Sequence, residues 1–284
     1  MYLLLIVQQI LASFTHIIAK DVTAHIHPLA ILFIRAFLAV IFFQFWVWFR
    51  KSKRKIEPKD YLTFIILGFL NIPMNQFLFL TAIKMTTAPN IALAYSFSPV
   101  FVFIIAHFFF NEKIRWKGLL GIFISVVGSI FVLMENGIDF SNDVFFGNIL
   151  GGIASLAWAL YTVIGRDISR KYGAVFSSSV SMQIGFFLYI IIFFFLDVKI
   201  NIYTFSFIDW LEIAYLGIIT SGVSYALWYY ALKHIESGKV AIFNNLQPVL
   251  TTVFAIIFFH NQLTIPFISG GLLILFGVYI TQKN

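Results

Sequence analysis

Residues 243–250, FNNLQPVL, set Asn244, Asn245, Gln247 and Pro248 between the apolar stretches KVAI and TTVFAIIFF. Side-chain amides donate and accept hydrogen bonds without ionising, so the chemistry these residues offer is recognition. Asn244, Gln247 and Thr251 recur at i, i+3 and i+7, one helical face, with Asn245, Pro248 and Thr252 on the adjoining face. The proline removes a backbone donor and frees a carbonyl. Similar clusters occur elsewhere. AYSFSPVF brings Tyr95, Ser98 and Pro99 together, PMNQ brings Asn75 and Gln76 beside Pro73, and SGVSYALWYY carries Ser221, Ser224, Tyr225, Trp228 and Tyr229. Amides, hydroxyls and aromatic faces predict a cavity for an amphipathic small organic molecule rather than a bare ion. The same groups also serve as hydrogen-bonded glue between helices, and the sequence leaves both roles open for any single residue.

Two basic groups stand apart. Arg35 is the one Lys or Arg well inside an apolar run. It reads either as a gate or counter-charge for a carboxylate on a bound molecule, or as a structural partner of free carbonyls of the first run or of Asp21. His16 lies inside the first run and reads either as a titrating gate or as a histidine bonded to a neighbouring helix.

Catalytic and metal chemistry find little support. There is no cysteine, hence no thiolate, disulfide or Cys-based metal site. All 12 acidic residues fall in loops or near the ends of apolar runs, which disfavours a proton relay built on a buried carboxylate. His25 and His27 at i, i+2 make a weak metal pattern, and His107 and His260 lack carboxylates at ligand spacing. ESGKV at 236–240 lacks the earlier glycine of a phosphate-binding loop. No enzyme, metal or cofactor is expected.

Composition states what must position the polar clusters. Of 284 residues 61% are hydrophobic and 11% charged, far too apolar for a soluble domain of this length. A spanning helix needs about 20 apolar residues. Such runs predict ten spans at approximately 3–20, 29–49, 61–83, 88–110, 115–133, 145–165, 174–196, 209–232, 238–259 and 263–281. The first is read as a span rather than a signal peptide, because no basic segment precedes it, and no soluble domain is expected. The fold class is all-α, a polytopic membrane protein.

Fifteen of the 19 Lys and Arg fall on one side of this scheme, six of them at Arg50, Lys51, Lys53, Arg54, Lys55 and Lys59. Lys20, Lys84 and Lys199 fall on the other. The bias predicts both termini in the cytoplasm. It accounts for the net charge of +7 without nucleic acid, and the bilayer is the expected partner.

Residues 77–132 align with 226–281 at a constant shift of 149. Lys84 meets Lys233, Pro99 meets Pro248, Gly121 meets Gly270 and Gly128 meets Gly277. Continued upstream, the shift pairs Pro73 with Gly222 and Asn75 with Ser224. Two five-span halves, 1–140 and 141–284, are expected; five is odd, so the second inserts upside down, a recurring plan of secondary transporters. The expected cavity lies between spans three, four, eight and nine. The glycine faces of spans five and ten read as braces within each half and offer a surface for a homodimer.

The stretches TTAPNIALAYSFSPVFVFIIAHFFFNEKI and ALKHIESGKVAIFNNLQPVLTTVFAIIFFHNQL resemble the drug/metabolite transporter superfamily, specifically its EamA family. Each matches that family's small-residue run, mid-helix proline and aromatic-rich helix end. Glu112 matches the acidic residue that usually follows, WALYTVIGRD at 158–167 resembles the sixth span, and Arg35 falls where the second span commonly carries an Arg. Two positions depart: ASF at 12–14 replaces a common Trp-Gly, and Asn261 stands where the second repeat often has Glu. The resemblance covers essentially the whole chain. It implies a carrier of the bacterial inner membrane, often an exporter, for amino acids or other small metabolites. A lipid-modifying membrane enzyme and a non-transporting membrane scaffold are the competing readings.

Overall fold

The chain starts its helices with recognisable caps. The ring of His27 accepts a hydrogen bond from Leu29 N at 3.3 Å, with Pro28 in the first turn. One of the backbone donors orphaned at a helix start is thereby satisfied. Thr87 serves Asn90 N at 3.3 Å, and Ser206 with Asp209 form a reciprocal capping box.

The computed structural model describes residues 1–51, 53–110, 116–134, 142–195, 202–259 and 265–282. Among these residues there is no strand. The helices are α1 Tyr2–His25, α2 Pro28–Phe49, α3 Pro58–Met85, α4 Asn90–Phe109, α5 Trp116–Met134, α6 Asn142–Tyr172, α7 Ala174–Phe195, α8 Phe207–His234, α9 Ser237–Phe258 and α10 Ile265–Gln282. Eight of them are long and apolar enough to cross a membrane; α5 and α10 hold the shorter apolar stretches Trp116–Phe131 and Ile268–Thr281. Glu112, Lys199, His260 and Asn261, named above, lie outside the described residues, as do Glu135, Asp139, Asp197, Lys113, Arg115 and Lys283 from the charge counts.

Trp48, Phe108, Phe123 and Phe194 are exposed on the outside, whereas Gln9, Ser13, Asn71, Ser155 and Ser178 are buried within. A protein folded in water would bury the first set before the second. The arrangement is that of a multi-pass membrane protein. Helix α6 runs past its expected end at 165 to Tyr172, so Arg166, Arg170 and Lys171 ride on its last turns. Cations there complement the negative end of the helix dipole.

The irregular turns fall where the sequence weakens the helices. Within α3 the segment Leu70–Gln76 widens into a π-helix around Pro73. A proline offers no N–H and crowds the preceding turn, and a wider turn relieves both. Within α8 the segment Tyr215–Ser224, which holds Gly217 and Gly222, widens likewise. In α4 the helix breaks at Phe97 and restarts at Ser98. In α9 a 3₁₀ turn, Ile242–Asn245, hands over to a helix beginning at Leu246. Both restarts put a proline, Pro99 or Pro248, in a first turn, where a missing N–H costs nothing.

Helices α5 and α10 pack on each other. A Cβ on Gly121 would come within 2.5 Å of Gly277 O, and one on Gly128 within 2.6 Å of Gly270 O. Bare glycine backbones let the two approach until side chains are excluded, so the braces expected of these helices meet each other.

Polar fasteners join helices at both ends of the bundle. Lys171 at the end of α6 reaches Asp60 Oδ2 at 2.6 Å and Glu57 Oε2 at 2.7 Å, and Tyr172 Oη donates to Asp60 Oδ2 at 2.6 Å. At the opposite end the His25 ring meets Asp209 Oδ1 at 2.5 Å, tying α1 to α8. Beside it Lys20 Nζ donates to the carbonyls of Ile83 and Thr86 at 3.1 and 2.6 Å, capping α3. The weak metal reading of His25 and His27 gives way to these roles; no metal-binding group of His, Cys, Asp or Glu occurs among the described residues.

Candidate functional site

The irregular turns surround a cavity of about 60 Å³. Helix α1 contributes Gln8, Ala12, Thr15 and His16, and α2 contributes Arg35. From α3 come Asn75, Gln76 and Phe79, from α4 Tyr95, and from α6 Trp158. Helix α8 adds Thr220, Ser224 and Tyr225, and α9 adds Gln247. Gly217 sets α8 against α2: a Cβ there would stand 2.9 Å from Arg35 O.

Two hydrogen-bond networks build the walls. In the first, Asn75 Nδ2 donates to Tyr95 Oη at 2.6 Å and to Ala154 O at 2.9 Å, while Tyr225 Oη donates to Asn75 Oδ1 at 3.2 Å. One amide thus joins α3, α4, α6 and α8. Nearby, Arg35 Nε donates to Ser221 Oγ at 2.8 Å, and Ser221 Oγ donates to Gln76 Oε1 at 3.2 Å. In the second, Gln8 Nε2 donates to Ser224 Oγ at 3.0 Å, and Gln9 Nε2 to Gln8 Oε1 at 2.8 Å and Asn244 Oδ1 at 3.0 Å. Gln247 Nε2 donates to Gln9 Oε1 at 3.0 Å, and Asn244 Nδ2 to Ser98 Oγ at 3.3 Å. These bonds tie α1 to α4, α8 and α9.

Four polar atoms of cavity-lining residues are buried without a partner: His16 Nε2, Arg35 Nη1, Trp158 Nε1 and Gln247 Oε1. Buried polar groups are ordinarily hydrogen-bonded. The His16 ring stands edge-on to Phe79 and Tyr95, and its Nδ1 faces Ala12 O at 3.0 Å. Two donors and two acceptors thus remain unused in one polar space. Among the described residues no Asp or Glu lines it.

Of the residues read from sequence, Asn75, Gln76, Tyr95, Ser224, Tyr225, Gln247, Arg35 and His16 meet at this cavity. Asn244 and Ser98 do not line it; they bond to each other behind it. Trp228 stands behind Trp158, 5.2 Å between ring centroids, and donates to Thr162 Oγ1 at 3.0 Å. Pro99 and Pro248 are buried and shape their helices rather than face the cavity. Asn245 is fully buried, and neither polar atom of its amide has a partner. Arg35 meets Ser221 rather than Asp21 or a carbonyl of α1.

The expected four-helix lining is corrected to seven helices, because α1, α2 and α6 also reach the cavity. Gln8, Thr15, Trp158 and Thr220 were missed. A signal existed for α1: Gln8, Ala12 and Thr15 follow i, i+4, i+7 spacing on one face.

Comparison with known proteins follows the same lines. The model of the EamA-like transporter family matches residues 1–134 and 145–282. An uncharacterized transporter of Archaeoglobus fulgidus is 26% identical, covering 100% of this chain and 97% of its own. The uncharacterized transporter YyaM of Bacillus subtilis is 25% identical, covering 98% of this chain and 92% of its own. One solved crystal structure superposes with a TM-score of 0.80 at 15% identity, covering 99% of this chain and 96% of that one, a likeness of fold. The named relatives are transporters and not enzymes.

Proposed function

Because the chain belongs to the EamA-like transporter family, we propose that it is a secondary carrier of small metabolites, amino acids or related amphipathic compounds. It works by alternating access in a bacterial inner membrane. The observation that carries this reading is the cavity: a small space with unused hydrogen-bonding groups inside an apolar bundle. Drug-sized ligands occupy pockets of roughly 300–1,000 Å³. A cavity of about 60 Å³ must widen to admit a metabolite.

The carrier has ten spans in two inverted halves, 1–140 and 141–284, with both termini in the cytoplasm. Support comes from the π-segments Leu70–Gln76 and Tyr215–Ser224, which overlap at the 149-residue shift. The restarts at Ser98 and Leu246 fall within a residue of the same correspondence. Paired discontinuities of this kind mark midplane sites in repeat-built transporters. Side-chain amides, hydroxyls and aromatic rings suit a molecule with both polar and apolar parts.

The test is efflux from proteoliposomes preloaded with labelled amino acids, with and without a pH gradient, beside a Gln247→Leu variant. Wild-type efflux that falls several-fold in the variant supports the reading. No wild-type efflux of amino acids or of a broader panel of organic metabolites overturns it.

A further inference from the structure

A second cavity, of about 270 Å³, lies between α4 and α6. From α4 it takes Asn90, Leu93, Ala94, Phe97 and Phe101, which recur at i, i+3, i+4, i+7 and i+11, one stripe of that helix. From α6 it takes Asn148 and, one turn on, Gly152. Two glycines set its shape. A Cβ on Gly151 would stand 2.8 Å from Ile91 Cδ1, so the two helices touch there. A Cβ on Gly152 would meet nothing within 4 Å, so the wall falls away at the next residue.

This groove is polar at one end and apolar along the rest. Asn90 begins α4, and Asn148 lies in the second turn of α6. Thr86 Oγ1 joins them: it accepts from Asn90 Nδ2 at 2.9 Å and donates to Asn148 Oδ1 at 2.8 Å. Those bonds assign both amides and leave Asn148 Nδ2 as a donor and Asn90 Oδ1 as an acceptor. Beyond them the lining is Leu93, Ala94, Phe97, Phe101 and Gly152, with no further polar side chain. Asn90 to Phe101 spans about 16 Å of helix at about 1.5 Å per residue, roughly half of a 30 Å hydrocarbon core. The groove therefore descends through the depth of one leaflet. Its lining residues are all half-buried, and Ile149 and Ile153 beside them on α6 are exposed, so it lies open on the lipid side.

Water does not suit this space. Each molecule needs about two to four polar partners, and the deep part offers none. Left empty, the walls forfeit their dispersion contacts. We propose that the groove is a binding site for a glycerophospholipid of the bilayer. One acyl chain lies along Leu93, Phe97 and Phe101 and over Gly152, and Asn148 Nδ2 donates to an ester carbonyl of the glycerol backbone. The site is separate from the central cavity and stands whether or not the chain is a carrier. The bound acyl chain packs against Phe97, where α4 breaks before Ser98, and Ser98 in turn holds Asn244.

The experiment compares wild type with Gly152→Leu and Asn148→Leu, each purified in detergent. Leucine at 152 fills the groove with a side chain of the protein itself. Native mass spectrometry counts the phospholipid retained. Melting is then followed as dioleoylphosphatidylglycerol, dioleoylphosphatidylethanolamine or hexadecane is added, since a ligand of the folded state alone raises the melting temperature. Wild type should retain one phospholipid more than Gly152→Leu, and added phospholipid should raise its melting temperature by several degrees more. Without lipid Gly152→Leu should melt higher than wild type, because glycine is the poorer helix former. A purely structural effect would keep that gap constant, whereas lipid binding closes it as phospholipid is added. Asn148→Leu should need several-fold more phospholipid for the same rise, and hexadecane should protect wild type less than either phospholipid. Equal retention by wild type and Gly152→Leu, a constant gap, or equal protection by hexadecane would overturn the proposal. Should Gly152→Leu fail to fold, a phospholipid with a photoreactive group midway along its acyl chain decides on the wild type. Cross-links concentrated in 93–101 and 149–153 support the site; cross-links spread evenly over the lipid-facing helices overturn it.

Discussion

Asn244 and Asn245 are neighbours in sequence with unlike surroundings. The Asn244 amide is bonded on both sides, to Gln9 and Ser98, whereas both polar atoms of Asn245 are buried and unused. Asn244→Leu leaves buried partners unsatisfied and should lower stability by about 1–3 kcal/mol. Asn245→Leu removes an unsatisfied amide at similar volume and should melt at or above the wild type. Parallel thermal melts check the pair; equal losses would contradict the assigned bonding. The regular 3.6-residue period placed Asn244 and Gln247 on one face. The 3₁₀ turn Ile242–Asn245 eclipses residues three apart, so Asn244 and Gln247 stay neighbours, with Gln247 Nε2 3.5 Å from Asn244 Oδ1; the Asn244 amide is taken up by Gln9 and Ser98 and leaves the cavity wall to Gln247. Residue types and their shared face were legible in the sequence; which of them stays turned to the cavity was not, because that depends on the partners that α1 and α4 bring. Trp158 was hidden for another reason: an aromatic on an apolar helix carries no polar pattern to single it out.

At the scale of elements, the glycine faces of α5 and α10 were visible in sequence, but not that they face each other across the halves. Gly277→Leu would drive a side chain into Gly121 O and Ser125 and should cost at least roughly 1–3 kcal/mol. Gly152→Ala is the control: its Cβ meets nothing within 4 Å, and the exchange should stabilise α6 by up to about 1 kcal/mol. Melting temperatures moving together would contradict the α5–α10 contact. The fastener at the start of α3 is pH-dependent. Lys171, then Lys59, holds the Glu57 carboxyl below its ordinary range. A depressed carboxylate stabilises the fold above its unfolded pKa, and that contribution is lost as pH falls through the folded value. The melting difference between wild type and Glu57→Gln should therefore be present at neutral pH and vanish in acid. A difference that grows in acid would contradict the pairing.

For the whole molecule, the helical membrane class was legible because it follows from composition, and the family because its motifs run the length of the chain. The contacts that join the helix ends were not legible, since Asp60 and Lys171, or His25 and Asp209, meet only after distant helices pack. Each fastener joins the first half of the chain to the second, one at either end of the bundle. With both engaged, helices of the two halves are pinned to each other at either end. Alternating access requires them to open in turn, and the absence of cysteine allows this to be tested without background. Two double variants, His25→Cys with Asp209→Cys and Asp60→Cys with Lys171→Cys, are bridged by a short thiol-reactive cross-linker in proteoliposomes preloaded with labelled amino acids. Each bridge, at either end alone, should stop efflux, and reduction of a cleavable linker should restore it. Efflux that continues with either end locked would contradict alternating access through this cavity.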